Sequence, residues 1–335
     1  MKKFLKRLRN YILLLGVIFI ISVLVYIYND PFKVVWNYDP IVEENGYPNL
    51  IMPVNRDYVS TITLENNLKK GIHYNSFIFG NSRSGYYRIK EWKKYLDKEA
   101  VPYHFDASAE ILYGIYKKIE YLDKKEMDIK NVLIAFDHTI MPIEQNYSHI
   151  FIKSPQIVDE LFYPVKFHFS FYKAFYSGPV LKRYVPIILF GHKKNPSSIG
   201  DEYEILTNEE RHPQMEKKIT EGKFYDEKRM EAFFERPDTI EYSQESLTKI
   251  HKYYFTEIKY IFDKHNTNYK IIINPLYDQI KLKPEVKKFI DSLFGRRNVY
   301  DFSGKNKYTE DYHNYYEDSH FRSHVGAEIL KEIYK

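Results

Sequence analysis

Eighteen consecutive residues without a charge, Tyr11 to Tyr28 (YILLLGVIFIISVLVYIY), constrain this chain more than any other feature. As a helix rising 1.5 Å per residue, the run spans roughly 27 Å, close to the hydrocarbon thickness of a bilayer. It has no polar face, so it does not read as a core helix of a soluble domain. Lys2, Lys3, Lys6, Arg7 and Arg9 precede it, and the first acid in the chain is Asp30. That asymmetry predicts a cytoplasmic N-terminus, with Tyr26 and Tyr28 at the far interface. A cleaved signal peptide has a shorter apolar region ending in small residues, whereas this one ends Tyr-Ile-Tyr-Asn-Asp-Pro. The expectation is a cytoplasmic segment over 1–10, an uncleaved anchor in the bilayer over 11–28, and an extracytoplasmic main domain in a single-pass membrane protein.

The anchor also explains the net charge of +5. Removing its five basic residues from the 50 in the chain leaves 45 against 45 acids. A neutral body has no global attraction for a polyanion, so a nucleic-acid partner is excluded on this ground. The 335 residues, 44% of them hydrophobic, suffice for a real core and argue against disorder. Cysteine is absent, which removes disulfides, thiolate catalysis and Cys-ligated zinc together.

Past the anchor, residues 29–70 carry Pro31, Pro40, Pro48 and Pro53 and read as an extended stalk leading into a helix at 56–70. An alternation then begins. Short apolar β-rich runs stand at Ser76–Gly80 (SFIFG), Val101–Asp106, Asn131–Phe136 (NVLIAF), Tyr269–Pro275 and Asn298–Phe302. Helical patterns fall between and after them, near 88–98, 108–126, 243–265, 284–294 and 324–334. Such alternation predicts an α/β fold, a three-layer α/β/α domain over 71–335 with a mostly parallel five-stranded sheet. An insertion at about 140–242 interrupts it. Its aromatic-rich stretch 167–191 reads either as a helical cap packed on the sheet's edge or as a surface touching the bilayer or a membrane partner. The polar stretch 192–242 reads as a loop with short helices.

In a parallel sheet, ligands bind beyond the carboxyl ends of the strands. Ser82, in Gly80-Asn81-Ser82-Arg83-Ser84, sits there at the end of the first strand, beside the free N–H groups of the following helix. His320, in Tyr315-Tyr316-Glu317-Asp318-Ser319-His320-Phe321-Arg322, precedes the last helix. An acid two or three residues before a His can orient its ring and leave the other nitrogen to take a proton from Ser82. Each segment alone also reads as an ordinary turn or a solvated histidine. The pairing across one sheet is what points to acyl-transfer chemistry.

These blocks resemble the SGNH (GDSL-like) hydrolase superfamily over roughly residues 74–334, which implies its flavodoxin-like fold. The resemblance makes Ser82 the nucleophile and His320 the base. It leaves two candidates for the orienting acid, Glu317 by spacing and Asp318 by residue type. The middle blocks depart from the family. After strand two stands Asp106-Ala107-Ser108-Ala109, so an oxyanion donor there must be a backbone N–H of Ala107 or Ser108. After strand three stands Asp137, where the family has an Asn, and an ionised Asp donates no hydrogen bond. A rebuilt oxyanion hole would draw on Asn81 or Arg83. With its anchor, the chain looks most similar to the membrane-anchored extracytoplasmic branch that includes the D-alanine transfer protein of teichoic acid synthesis and the alginate O-acetylation proteins. That branch implies a membrane-bound O-acyltransferase partner and a polymer or glycan substrate, with Arg83 and Arg322 available to an anionic part of it or simply salt-bridged.

Two other readings stand beside it. A degenerate domain of the same fold could bind a glycan or scaffold the membrane partner without catalysis. A metal site could use His320 and His324 with Asp318, Asp137 or His138, although no H-E-x-x-H motif is present. The acyl-transfer reading calls for no cofactor.

Overall fold

The structure, a computed structural model, describes residues 1–44, 54–190 and 202–335. Pro48 and Pro53 and residues 191–201 of the insertion lie outside the described residues. The chain opens with helix α1 (Lys2–Asn29), long and apolar enough to cross a membrane and almost entirely unburied.

Five parallel strands form the sheet: β1 (Ser76–Gly80), β2 (Pro102–His104), β3 (Asn131–Phe136), β6 (Asn268–Ile273) and β7 (Val299–Asp301). Their spatial order is β2-β1-β3-β6-β7, so the chain reverses direction of travel across the sheet between β1 and β3. The runs SFIFG and NVLIAF are buried at every residue, as strands covered on both faces must be. Side chains alternate between two cores. Phe77, Phe79, Val132, Ile134 and Phe136 enter one, while Ile78, Leu133, Ala135 and Ile272 enter the other.

The first core is closed by α2 (Arg56–Lys69), α4 (Leu112–Lys124), α9 (Lys249–Lys264) and α10 (Pro284–Phe294). The second is closed by α3 (Ile89–Trp92) and α11 (Ser323–Ile333). The three-layer α/β/α arrangement expected from the alternation is therefore the observed one. Helix α11 buries Val325, Ile329, Leu330 and Ile333; at about 2 kcal/mol per side chain this holds the C-terminus firmly on the sheet.

Two expectations need correction. Residues 30–42 are not an extended stalk: Phe32, Val34, Ile41 and Val42 are buried in the first core. Asp30, in a left-handed conformation at the end of α1, turns the chain and accepts from the N–H groups of Val34, Val35 and Trp36. The polar part of the insertion is also more than loop and short helices. It contains an antiparallel hairpin, β4 (Glu202–Glu204) and β5 (Glu209–Arg211), ahead of α7 (Pro213–Thr220) and α8 (Glu227–Met230). His104 N–H donates to Thr207 at 2.9 Å, which docks the hairpin beside the edge strand β2. The aromatic part of the insertion forms α5 (Tyr163–Phe175) and α6 (Gly178–Phe190).

Candidate active site

Gly80 ends β1 at φ 156°, and a Cβ there would lie 2.2 Å from the Ala135 carbonyl oxygen. Only glycine allows the strand to turn so close to β3. The next residue, Asn81, caps a 3₁₀ turn over Ser82–Tyr86, its Oδ1 accepting from Arg83 N–H at 3.1 Å. Ser82 is the first residue of that turn and is exposed to solvent.

His320 arrives from the other end of the chain. Strands β8 (Tyr315–Glu317) and β9 (His320–Phe321) form a tight hairpin in which Glu317 and His320 are register partners. His320 Nε2 lies 2.8 Å from Ser82 Oγ, and His320 Nδ1 lies 2.5 Å from Glu317 Oε1. Of the two acids, Glu317 is the one bonded to the ring; Asp318 occupies the hairpin turn and makes no bond to it. Burial pushes the Glu317 carboxyl up, but its hydrogen bond to His320, the imidazole charge and the Ser319 hydroxyl outweigh this and hold it below the ordinary range. An ionised Glu317 accepts from Nδ1–H and leaves Nε2 bare to accept the Ser82 proton. The edge of Tyr86 packs against the imidazole at 5.8 Å.

The expected oxyanion and substrate groups divide. Asn81 Nδ2 donates to Asp137 at 3.2 Å and to Thr139 at 3.4 Å, so its amide is spent inside the fold. Arg83 pairs with Asp137 at 3.0 Å and donates through Nε to the Ser319 carbonyl at 2.7 Å. Asp137 is fully buried; burial alone would raise its pKa, yet Arg83, Thr139 and Asn81 bring it below the usual value. The Ala107 N–H is spent as well, donating to the Gly80 carbonyl at 3.2 Å. Ser108 does line the cleft beside Ser82. Arg322 turns away from Ser82 to hold Glu216 of α7 at 2.6 Å and the His313 carbonyl at 3.1 Å.

The side chains weighed for a metal also have separate partners. His324 bonds Asn314 at 2.9 Å, His138 faces Asp278 at 3.6 Å, and His320 is committed to Ser82. Among the described residues no group of three or more potential ligands stands together.

Ser82 and His320 open onto a cleft of about 290 Å³ whose far wall is formed by residues that sequence reasoning missed. Glu209, Glu210 and His212 come from the β4–β5 hairpin and its exit. Asp106, paired with Arg56 at 3.1 Å, and His104 come from the end of β2. His104 is buried, and desolvation lowers its pKa, keeping it neutral. Its Nε2 lies 3.1 Å from the Tyr87 carbonyl oxygen, and its Nδ1 has no partner among the described residues. The one sequence signal for this wall is Asn208, which takes φ 59° in the hairpin loop, a conformation Asn tolerates better than most residues. No family model matches this chain, and no curated protein matches it.

Proposed function

We propose that the protein is a membrane-anchored serine acyltransferase or esterase of the SGNH type, acting on O-acyl groups. The observation that carries this reading is the hydrogen-bonded series Ser82 Oγ, His320 Nε2, His320 Nδ1, Glu317 Oε1, with links of 2.8 and 2.5 Å, opening onto a cleft. In the first half-reaction Ser82 Oγ attacks an acyl ester carbonyl while His320 Nε2 takes its proton. The tetrahedral adduct collapses, the alcohol leaves with that proton, and the acyl group stays on Ser82. In the second, His320 takes a proton from an acceptor hydroxyl or water, which attacks the acyl carbonyl; as the bond to Ser82 Oγ breaks, His320 returns that proton to Ser82. The Ser82 N–H is bonded to nothing among the described residues. With the N–H of Ser108 it is the donor pair left for the oxyanion, since Asn81, Arg83 and Ala107 are occupied.

Both arginines that an anionic substrate would meet are already in ion pairs, Arg83 with Asp137 and Arg322 with Glu216. This favours a neutral acceptor such as a sugar or polyol hydroxyl of a cell-envelope polysaccharide or teichoic-acid-like polymer. The charge asymmetry around α1 supports an extracytoplasmic domain, and a membrane-bound O-acyltransferase is the partner the resemblance implies.

A second reading, a non-catalytic glycan-binding or scaffolding domain of the same fold, draws on those occupied donors, which leave the oxyanion only backbone groups. Labelling of the full-length protein with a fluorophosphonate separates the two. The catalytic reading requires labelling that disappears in both Ser82→Ala and His320→Ala. A folded wild type that takes no label leaves the binding reading in its place.

A further inference from the structure

The hydrocarbon core of a bilayer, about 30 Å thick, takes up about 20 helical residues. In α1 the last charge is Arg9 and the helix ends at Asn29, so spanning the core uses everything from residue 10 to residue 29. Whatever touches the last third of α1 is therefore at membrane depth. Helix α5 touches it there. Ser22 Oγ lies 2.7 Å from Tyr172 Oη, and Tyr176 Oη donates to the Ser22 carbonyl at 2.7 Å. Phe19 and Tyr26 each meet the Tyr172 ring at 5.9 Å. Ser22 is seven residues before Asn29, about 10 Å below the outer end of the helix.

The face of α5 that carries Tyr172, turned away from the buried Phe167, Phe171 and Ala174, continues beyond this contact as an exposed apolar stripe. Phe162, Val165 and Phe169 are exposed at spacings of three and four, on the helix face that runs on to Tyr172, and Leu161 beside them is 86% exposed. Lys166 and Lys173 flank this stripe, with stems long enough to carry their charges to the headgroups. The exposed Trp36, which bonds the Ile27 carbonyl at 3.1 Å, and the exposed Tyr28 stand at the outer end of α1, where an aromatic belt belongs.

We infer that α5 is a second membrane element: it lies against α1 and presents the stripe Phe162, Val165 and Phe169 to the acyl chains of the outer leaflet. The occupant of this face is lipid, because α5 is bonded to α1 inside the span that the bilayer must cover. The inference rests on α1 being a membrane anchor, and the experiment separates the two.

The chain has no cysteine, so single labels are clean. Phe162→Cys, Val165→Cys and Phe169→Cys, each carrying an environment-sensitive fluorophore, are reconstituted as full-length protein in phosphatidylcholine–phosphatidylglycerol vesicles. Leu15→Cys reports the anchor, and Lys98→Cys, on the exposed surface, reports water. The expected result is quenching of the α5 labels by nitroxide lipids to the extent seen at position 15, with protection from aqueous iodide. Lipid quenching at position 15 with iodide quenching on α5 overturns the inference and leaves the anchor standing. Shielding of the α5 labels from both quenchers also overturns it, and assigns the face to protein, a second copy or a membrane partner. Iodide quenching at position 15 removes the anchor and the inference together.

Discussion

Arg83 Nε donates to the carbonyl oxygen of Ser319 at 2.7 Å while the same guanidinium pairs with Asp137 at 3.0 Å. One side chain thus ties the turn of the nucleophile to the residue before the base and to the end of β3. Its place is behind the Ser82–His320 pair, which it holds at bonding distance.

Arg83→Lys keeps the charge beside Asp137 but loses the planar fork that serves both partners. The rate of fluorophosphonate labelling is expected to fall by up to about 100-fold, the scale of a loss from misplaced groups, with the melting temperature nearly unchanged. Stopped labelling reactions against time measure it. A labelling rate equal to wild type would remove the positioning role.

Glu317→Gln removes the acceptor that fixes the imidazole tautomer, and the expected loss in labelling or turnover is up to roughly 10⁴-fold. Asp318→Asn, in the hairpin turn, is expected to stay within about twofold of wild type, since it touches neither ring nitrogen. Equal losses in the two variants would reopen the choice of orienting acid.

Acid should unfold the domain through two buried aspartates. Asp57 would be pushed up by burial but is held below its ordinary value by Lys118 and Lys153, and Asp137 is likewise lowered by Arg83. A folded pKa below the unfolded one gives stability that is fully present above the unfolded value, about 4, and is lost as the pH falls through the folded value. Melting temperature measured from pH 7 down to pH 2 should be flat at first and then drop below about pH 4. Lys118 is fully buried between Asp57 at 3.2 Å and Glu110 at 2.9 Å. Lys118→Met, which leaves both buried acids to share the single cation Lys153, should cost up to about 3–5 kcal/mol in urea unfolding.

Gly326, in the first turns of α11, lies so close to the nucleophile turn that a Cβ would meet the Tyr86 carbonyl oxygen at 2.3 Å. The clash is with backbone, so Gly326→Ala should cost about 1–3 kcal/mol and push His320 away from Ser82. Denaturant unfolding reads the first effect and labelling the second; a variant as stable and as reactive as wild type contradicts the packing described.

The sheet was legible because SFIFG and NVLIAF are covered on both sides and so read as unbroken apolar runs. Ser82 and His320 were legible because strand ends and helix starts fix where such residues lie. The β4–β5 hairpin was not, since Glu202, Glu204, Glu209 and Arg211 resemble a solvated loop and their order comes from docking beside β2. The prolines at 31 and 40 suggested a stalk, while Phe32, Val34, Ile41 and Val42 supplied enough apolar surface to fold it back. Spacing pointed to Glu317 and residue type to Asp318; the hairpin register puts Glu317 beside the ring. For Arg83 the sequence left a substrate contact and an ordinary salt bridge both open, because its partners Asp137 and Ser319 are 54 and 236 residues away.

Tyr26 of α1 belongs to the same buried cluster as Phe77 and Phe79 of β1. Ser82, at the end of that strand, is therefore not on a leash. On the proposed reading, with the anchor in a bilayer, Ser82 would stand at a fixed height and a fixed tilt, and an acceptor would have to bring its hydroxyl to that height. Reach, and with it the choice among otherwise equivalent hydroxyls along the proposed polymer, would then be a property of the fold rather than of a linker's length.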